Sequence, residues 1–442
     1  MSTPPRAALL RTPNFAWLMS GAVMSALGDQ FTMIALPWLV LQMTGDPLAL
    51  GMIVALMAIP RALLILFGGA LVDRYSPKRV LMLTKHANAV LVGVLGLVVF
   101  QGGATMAIVT ALALGLSLAS AFSIPAGTSM LPHAVPPQYL QAANGTMMAI
   151  RQLTALAGPL LAGLLFALAG DGKGHGSGSG LHDARGLGMA FGFDCLSYVV
   201  SAWTLSRVRP LALASAARAQ AEPLLGAIGA ALALVWRDRL LRTCFIYWGL
   251  CACVVGSILQ VALPLLASER LHGATALALL MSANGIGSLA GMALSGVLGR
   301  RRLGSLGLTL LAIDGAMGLL LLPLGLVTAS WQGILLMAAI GILGGFVQVA
   351  VFTWLQQRVP QAMMGRMMSI FMFVFMGLAP LTAVVAGWLA SHVSLASLFA
   401  WAGITLCGAA LLAWLLTPIR SLVDVAPDAD KEREPAAANT VA

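Results

Sequence analysis

The sequence predicts an all-α membrane protein with twelve transmembrane helices in two pseudo-symmetric six-helix bundles. Hydrophobic residues make up 60% of the 442 residues and charged residues only 9%, whereas a soluble globular protein carries about 25% charged residues. Apolar stretches of about 20 residues, the length that crosses a bilayer, recur along nearly the whole chain. The two halves of the sequence also resemble each other.

Twelve apolar stretches alternate with polar loops. They cover residues 15–43, 47–72, 79–101, 104–130, 141–169, 187–207, 243–268, 274–299, 304–326, 331–357, 366–390 and 395–417. The predicted organisation is a cytoplasmic arm at 1–14, an N-terminal bundle at 15–207, a cytoplasmic linker at 208–242, a C-terminal bundle at 243–417 and a disordered cytoplasmic tail at 418–442.

An internal repeat relates the two bundles. Val135-Pro136 before the fifth stretch matches Val359-Pro360 before the eleventh, and Gly158-Pro159 matches Ala379-Pro380 at nearly the same spacing. Parallel repeats of this kind place a binding site between the halves near the membrane midplane, which rocking exposes to each side in turn.

The basic residues are distributed unevenly between the two sides of the predicted membrane. Nineteen of the 25 Lys and Arg residues lie on the side of the termini and three lie in the opposite loops. This bias predicts that both termini are cytoplasmic. It also accounts for the net charge of +10 without a nucleic-acid partner.

The segment "GALVDRYSPKR" (69–79) follows the second stretch. It resembles the loop signature of the major facilitator superfamily, Gly-x3-Asp-Arg-x-Gly-x-basic-basic, with Ser76 in place of the second glycine. The resemblance implies a conformational latch that holds the cytoplasmic side shut against the start of the eleventh helix. The latch residues are Gly69, Asp73, Arg74, Lys78 and Arg79.

The fifth stretch resembles the antiporter motif of drug-exporting members of this superfamily. Gly145, Gly158, Pro159 and Gly163 match the motif. Small residues allow close helix packing in membranes, so we expect this helix to pack tightly against the opposite half.

Nearly the whole chain resembles the branch of siderophore exporters and macrolide efflux proteins, through stretches such as 14–51, 121–136 and 356–369. The resemblance implies proton-coupled efflux of amphipathic small molecules such as drugs or siderophores, from the bacterial cytoplasmic membrane. The expected partners are the substrate, protons and the bilayer. We expect a monomer with no cofactor, driven by the proton gradient.

Asp29 lies inside the first apolar stretch, where an unpaired charge is costly. Counted at about 1.5 Å per residue, Asp29, Arg61 and Arg151 share a level near the midplane. We expect these three residues to couple transport to protons, with one arginine tuning the carboxylate. The alternatives are a permanent structural ion pair and direct contact with a cationic substrate.

The remaining polar positions are weaker candidates. Asp194 and Asp314 lie on helices that are peripheral in the family and are expected to brace the bundles, and Lys85 is expected to reach towards the cytoplasm. The residues expected to line a substrate cavity are Ser25, Thr32, Met33, Gln260, Asn284, Gln348, Met372 and Phe375.

Two other functions remain open from the sequence. A lipid or lysophospholipid flippase is a second transport function, and a non-transporting membrane sensor is an alternative of another class. No catalytic or metal-binding constellation is recognised, and no phosphate-binding glycine loop, so an enzyme is not expected.

Overall fold

Within the residues that the structure describes, twelve helices follow one another in the predicted order, which confirms the predicted fold class. The structure, a computed structural model, describes residues 12–74, 76–136, 139–169, 185–209, 211, 233, 235–271, 273–298, 304–359, 367, 370–371, 374 and 378–422. The helices are α1 (Pro13–Thr44), α2 (Pro47–Arg74), α3 (Pro77–Phe100), α4 (Met106–Ala134), α5 (Leu140–Ala169), α6 (Arg185–Arg207), α7 (Arg239–Glu269), α8 (Ala274–Leu298), α9 (Leu306–Leu324), α10 (Ser330–Arg358), α11 (Ala379–Ala390) and α12 (Leu395–Leu416). Among the described helices, nine are long and apolar enough to cross a membrane.

The second bundle begins inside the predicted linker. Asp238 caps α7, because its carboxylate accepts hydrogen bonds from the amides of Leu240 and Leu241 at 2.9 and 3.2 Å. The same carboxylate forms an ion pair with Arg358 at the end of α10, with an N–O distance of 2.9 Å. Residues 1–11 of the predicted arm and 212–232 of the predicted linker lie outside the described residues.

The predicted disordered tail is wrong for its first residues. Pro418–Ser421 form a 3₁₀ turn, and the carbonyl of Leu422 accepts a hydrogen bond from the Gly307 amide at 3.0 Å. The side chains of Ile419 and Leu422 are buried, so apolar burial orders this short segment against α9. Residues 423–442 lie outside the described residues.

The two halves meet at the end of the molecule opposite the termini. There α2 packs on α11 and α5 packs on α8, and one hydrophobic cluster includes residues of both halves. Towards the terminal end the described core divides into one cluster confined to the C-terminal half and another confined to the N-terminal half. The halves are therefore joined at the distal end and form separate cores at the terminal end.

The closest helix pair is α8 with α10. Gly287 and Gly291 on α8 face Gly341 and Gly345 on α10, four residues apart on each helix. At each of the four positions an added methyl group would overlap backbone atoms of the facing helix, such as the carbonyl of Ser288 opposite Gly345. Small residues that let two backbones approach are a principal means of helix association in membranes.

We expect Gly345→Ala to lower the stability of the protein by about 1–3 kcal/mol, the usual cost of overpacking. Gly344→Ala is the matched control, because a methyl group at Gly344 meets no atom within 4 Å. Thermal unfolding of the purified protein in detergent measures the difference. Equal unfolding temperatures for the two variants would contradict this account of the α8–α10 interface.

Ser76 is the residue that replaces a family glycine between α2 and α3. Its φ of 61° lies in the left-handed region, and no other non-glycine residue of the described segments has a positive φ. This conformation costs an L-residue with a side chain roughly 1–2 kcal/mol of conformational free energy, whereas its cost for glycine is small. The turn thus holds Ser76 in a backbone conformation that favours glycine, the residue that the family motif has at this position.

Ser76→Gly is expected to raise the stability by about 1 kcal/mol, because glycine relieves the backbone strain. Ser76→Ala keeps a Cβ atom and separates the effect of the hydroxyl from that of the backbone. Both variants are compared with the wild type by thermal unfolding in detergent. If the glycine variant is no more stable than the alanine variant, the turn is not strained.

Candidate functional site

Asp29 lies near the middle of α1, exposed to open space within the bundle. Its Oδ1 accepts a hydrogen bond of 2.5 Å from the hydroxyl of Tyr198 on α6. The side chain of Asn88 on α3 lies beside the Tyr198 hydroxyl. The carboxylate is therefore held from one side by a buried polar chain and open on the other.

Lys85 on α3 extends into this site. Its ammonium donates a hydrogen bond of 2.7 Å to Ser25 on α1 and lies 5.0 Å from the centroid of the Tyr198 ring. It interacts electrostatically with both Asp29 and Asp194. The prediction that Lys85 reaches towards the cytoplasm is wrong, because the two carboxylates and a hydroxyl acceptor attract the ammonium into the bundle.

Asp194 on α6 is buried, with 1% of its surface exposed. Its Oδ2 accepts a hydrogen bond of 2.5 Å from Thr32 on α1, and its Oδ1 accepts one of 3.1 Å from Ser197. The helices approach closely here because α1 has Gly28, where a methyl group would overlap Asp194 and Ser197. Asp194 thus belongs to the same polar cluster as Asp29.

The two predicted arginine partners differ in their position. Arg61 on α2 is half-buried and interacts electrostatically with Asp29. Arg151 on α5 is exposed, and among the described residues no hydrogen bond or ion pair joins it to Asp29. The two arginines were predicted at the same depth in the membrane, but of the two only Arg61 acts on the charge of Asp29.

The cluster contains three residues that the sequence interpretation left out of the site: Lys85, Asp194 and Tyr198. A usable signal was present in the spacing, since Asp194 and Tyr198 are four residues apart and share a helix face. Lys85 was also the one lysine inside a predicted apolar stretch. Neither sequence feature shows which neighbouring helix these three side chains face.

The latch residues are described only in part. Gly69, Asp73 and Arg74 belong to the last turns of α2, and Arg79 is exposed in the first turn of α3. The ammonium of Lys78 donates hydrogen bonds to the carbonyls of Ser206 and Val208, at 3.1 and 2.7 Å. Lys78 therefore stabilises the C-terminus of α6, where a positive charge is favourable.

The helix α5 motif lies between the two halves. A methyl group at Gly158 would overlap the Gln30 side chain on α1, and one at Gly163 would meet Ala278 on α8 of the other half. Pro159 is buried within α5, and Gly145 lies in its first turns. This geometry fits the predicted tight packing of this helix against the opposite half.

Some of the residues predicted to line a substrate cavity make hydrogen bonds within the protein, and others are exposed. Ser25 and Thr32 belong to the polar cluster, and the amide of Asn284 donates to the Met337 carbonyl at 3.4 Å. Met33 and Gln348 are exposed. The half-buried Gln260 lies in a π-helical turn of α7, Ile258–Ala262, a feature that often marks functional sites, while Met372 and Phe375 lie outside the described residues.

A second buried carboxylate lies in the C-terminal half. Asp314 on α9 accepts a hydrogen bond of 2.7 Å from the hydroxyl of Tyr247 on α7, and Cys251 lies beside this pair. No described cation is ion-paired with Asp314. This arrangement braces α7 against α9, as the sequence analysis expected.

Comparison with known proteins agrees with this architecture. The sequence profile of the Major Facilitator Superfamily matches residues 18–383. The multidrug efflux pump Tap of Mycobacterium tuberculosis is 26% identical over 444 residues, covering 96% of this chain and 97% of that protein. Among the solved structures that share the fold, a D-xylose-proton symporter has a TM-score of 0.66, 12% identity and coverage of 92% of this chain and 99% of that chain.

A bacterial homologue of the iron transporter ferroportin, solved in an inward-facing state, has a TM-score of 0.65 and 19% identity, and covers 92% of this chain and 97% of that chain. Its two-bundle fold is the one described above. The profile match extends across both bundles, and the helices of this chain are those of a multi-pass membrane protein. The chain therefore belongs to the major facilitator superfamily and is a membrane transporter rather than an enzyme.

Proposed function

We propose that this protein exports amphipathic small molecules by proton antiport and alternating access. The observation that carries the proposal is Asp29, an open carboxylate held in an otherwise apolar bundle by Tyr198 and faced by Lys85 and Arg61. The whole-length relationship to a multidrug efflux pump and the helix α5 motif support the direction of transport.

The surroundings of Asp29 suit a carboxyl group that gains and loses a proton. When it is ionised, Lys85 and Arg61 oppose its charge and the Tyr198 hydroxyl donates to it, which offsets the cost of an anion inside the bundle. The exposed face of the ionised side chain takes up a proton from water in the open space, and the carboxyl group is then neutral.

The distribution of packing supports alternating access. The halves are joined at the end distal to the termini, and their cores are separate at the terminal end. With both termini cytoplasmic, as the positive-inside bias favours, this arrangement is closed to the outside and open to the cytoplasm. Rocking of the two bundles would then expose Asp29 to the opposite side.

The proposed setting is the bacterial cytoplasmic membrane, with a monomer as the transporting unit. The driving force is the proton gradient, without a bound cofactor. In this setting the segment around Asp73 and Arg74 closes the cytoplasmic side when the bundles rock, through contact with the start of the eleventh helix.

We expect Asp29→Asn to lower dye transport driven by a pH gradient about tenfold or more, because asparagine keeps the shape of the side chain but cannot exchange a proton. The measurement uses proteoliposomes with a fluorescent amphipathic cation such as ethidium. Asp46→Asn is the matched control, since Asp46 lies in the loop between α1 and α2 and only caps α2.

Dye–dye exchange without a pH gradient is measured in parallel and is expected to persist in the Asp29 variant. Transport that is unchanged in rate and pH dependence would refute proton coupling through Asp29. Movement of a labelled lysolipid without dye transport would favour a flippase, and movement of neither would favour a sensor.

A further inference from the structure

The helices α1 and α6 are cross-linked by two reciprocal hydrogen bonds between acids and hydroxyls. Asp29 on α1 accepts from Tyr198 on α6, and Asp194 on α6 accepts from Thr32 on α1. Each acid lies one turn from the hydroxyl on its own helix, so both pairs occupy the same interface. The two carboxyl groups are thus parts of one structural unit.

The two acids differ in their access to water. Asp29 is exposed to the open space within the bundle, whereas Asp194 is almost fully buried. Close contact at Gly28 leaves no room beside Asp194. Water is excluded from Asp194. The ionisation of its carboxyl group therefore depends more strongly on neighbouring protein groups than the ionisation of Asp29 does.

The charged and titratable groups that act on Asp194 come from three helices. Asp29 lies on α1, Lys85 on α3, and Cys195 and Tyr198 on α6 itself. Arg61 on α2 acts on Asp29 and Tyr198. Lys85 is therefore the cation that both carboxylates share, and Asp29 has a second cation of its own.

Lys85 also has an alternative hydrogen-bond acceptor on its own helix. Asn88 is one turn further along α3 and 1% exposed. Its side chain lies beside the Tyr198 hydroxyl, and its Oδ1 is buried and accepts no hydrogen bond within the described segments. Buried polar atoms nearly always have a partner, so this oxygen suits an ammonium group that moves between two positions.

We propose that Asp194 is a second proton-binding residue of the transporter, coupled to Asp29 through the shared ammonium of Lys85. This inference rests on the proposed function of Asp29. When Asp29 takes up a proton from the open space, Lys85 neutralises the Asp194 carboxylate. When Asp29 releases that proton, its negative charge attracts Lys85 and disfavours a second negative charge beside it, so Asp194 binds a proton.

Asp194→Asn tests this coupling. The variant removes one carboxylate, so that Lys85 interacts with Asp29 alone. This interaction favours the ionised form of Asp29, which therefore persists to lower pH. We expect the pH midpoint of gradient-driven dye transport to move to lower pH by about one unit.

Asp314→Asn is the matched control for the loss of a buried acid. Asp314 is also hydrogen-bonded by a tyrosine between two helices of one half, but it shares no described cation with a second acid. We expect this variant to keep the wild-type pH midpoint. A purely structural role of Asp194 predicts that both asparagine variants lose stability or rate without a change in pH midpoint.

Thr32→Val provides a second measurement if the asparagine variant does not fold. Valine removes the hydroxyl that donates to Asp194, which makes the ionised form less favourable and shifts the pH midpoint in the same direction by a smaller amount. An unchanged midpoint in the folded variants would overturn the inference. If Asp29→Asn abolishes coupling while these midpoints stay fixed, the proposed function stands and the inference alone fails.

Discussion

Charge burial inside an apolar bundle is the constraint on which the N-terminal half depends. Asp29, Lys85 and Asp194 lie among helices that lipid surrounds, and an unpaired charge there costs several kcal/mol. The cost is met by hydroxyls and opposite charges from neighbouring helices. Tyr198 and Thr32 each reach across to the other helix, so the two acids are satisfied only while α1 packs on α6 in this orientation.

The two halves are stabilised by different means. The C-terminal half is held by backbone contact between α8 and α10 through four glycines and contains one buried acid, Asp314. The N-terminal half places a network of charged groups between α1, α3 and α6. Internal repeats have therefore kept the fold while their polar chemistry has diverged, and the proposed proton chemistry resides in one half.

The distribution of the core explains how such a molecule could rock without unfolding. Each half has a cluster of its own near the terminal end, and the capping bonds of Lys78 tie α3 to α6 within the first half. The distal cluster that joins the halves consists mainly of aliphatic side chains and small residues. Apolar contact of this kind is non-directional, so it can be broken and remade by rigid bodies.

The amino-acid sequence by itself determined the number and order of the helices, the two-fold repeat and the family motifs. These properties depend on local hydrophobicity and on short spacings between residues. The thickness of the bilayer and the charge bias across it determine helix length and orientation from such local features. Asp29 was recognisable for the same reason, since a carboxylate stands out in an apolar stretch whatever surrounds it.

Only the tertiary structure decided the partners of Asp29. Depth along the membrane favoured Arg61 and Arg151 equally, but the rotation of each helix about its own axis decides which side chains face one another. That rotation brings Lys85 and Tyr198 to Asp29 and leaves Arg151 exposed. It is set by many packing contacts at once, such as the fit of Gly28 against α6, and no short stretch of sequence encodes it.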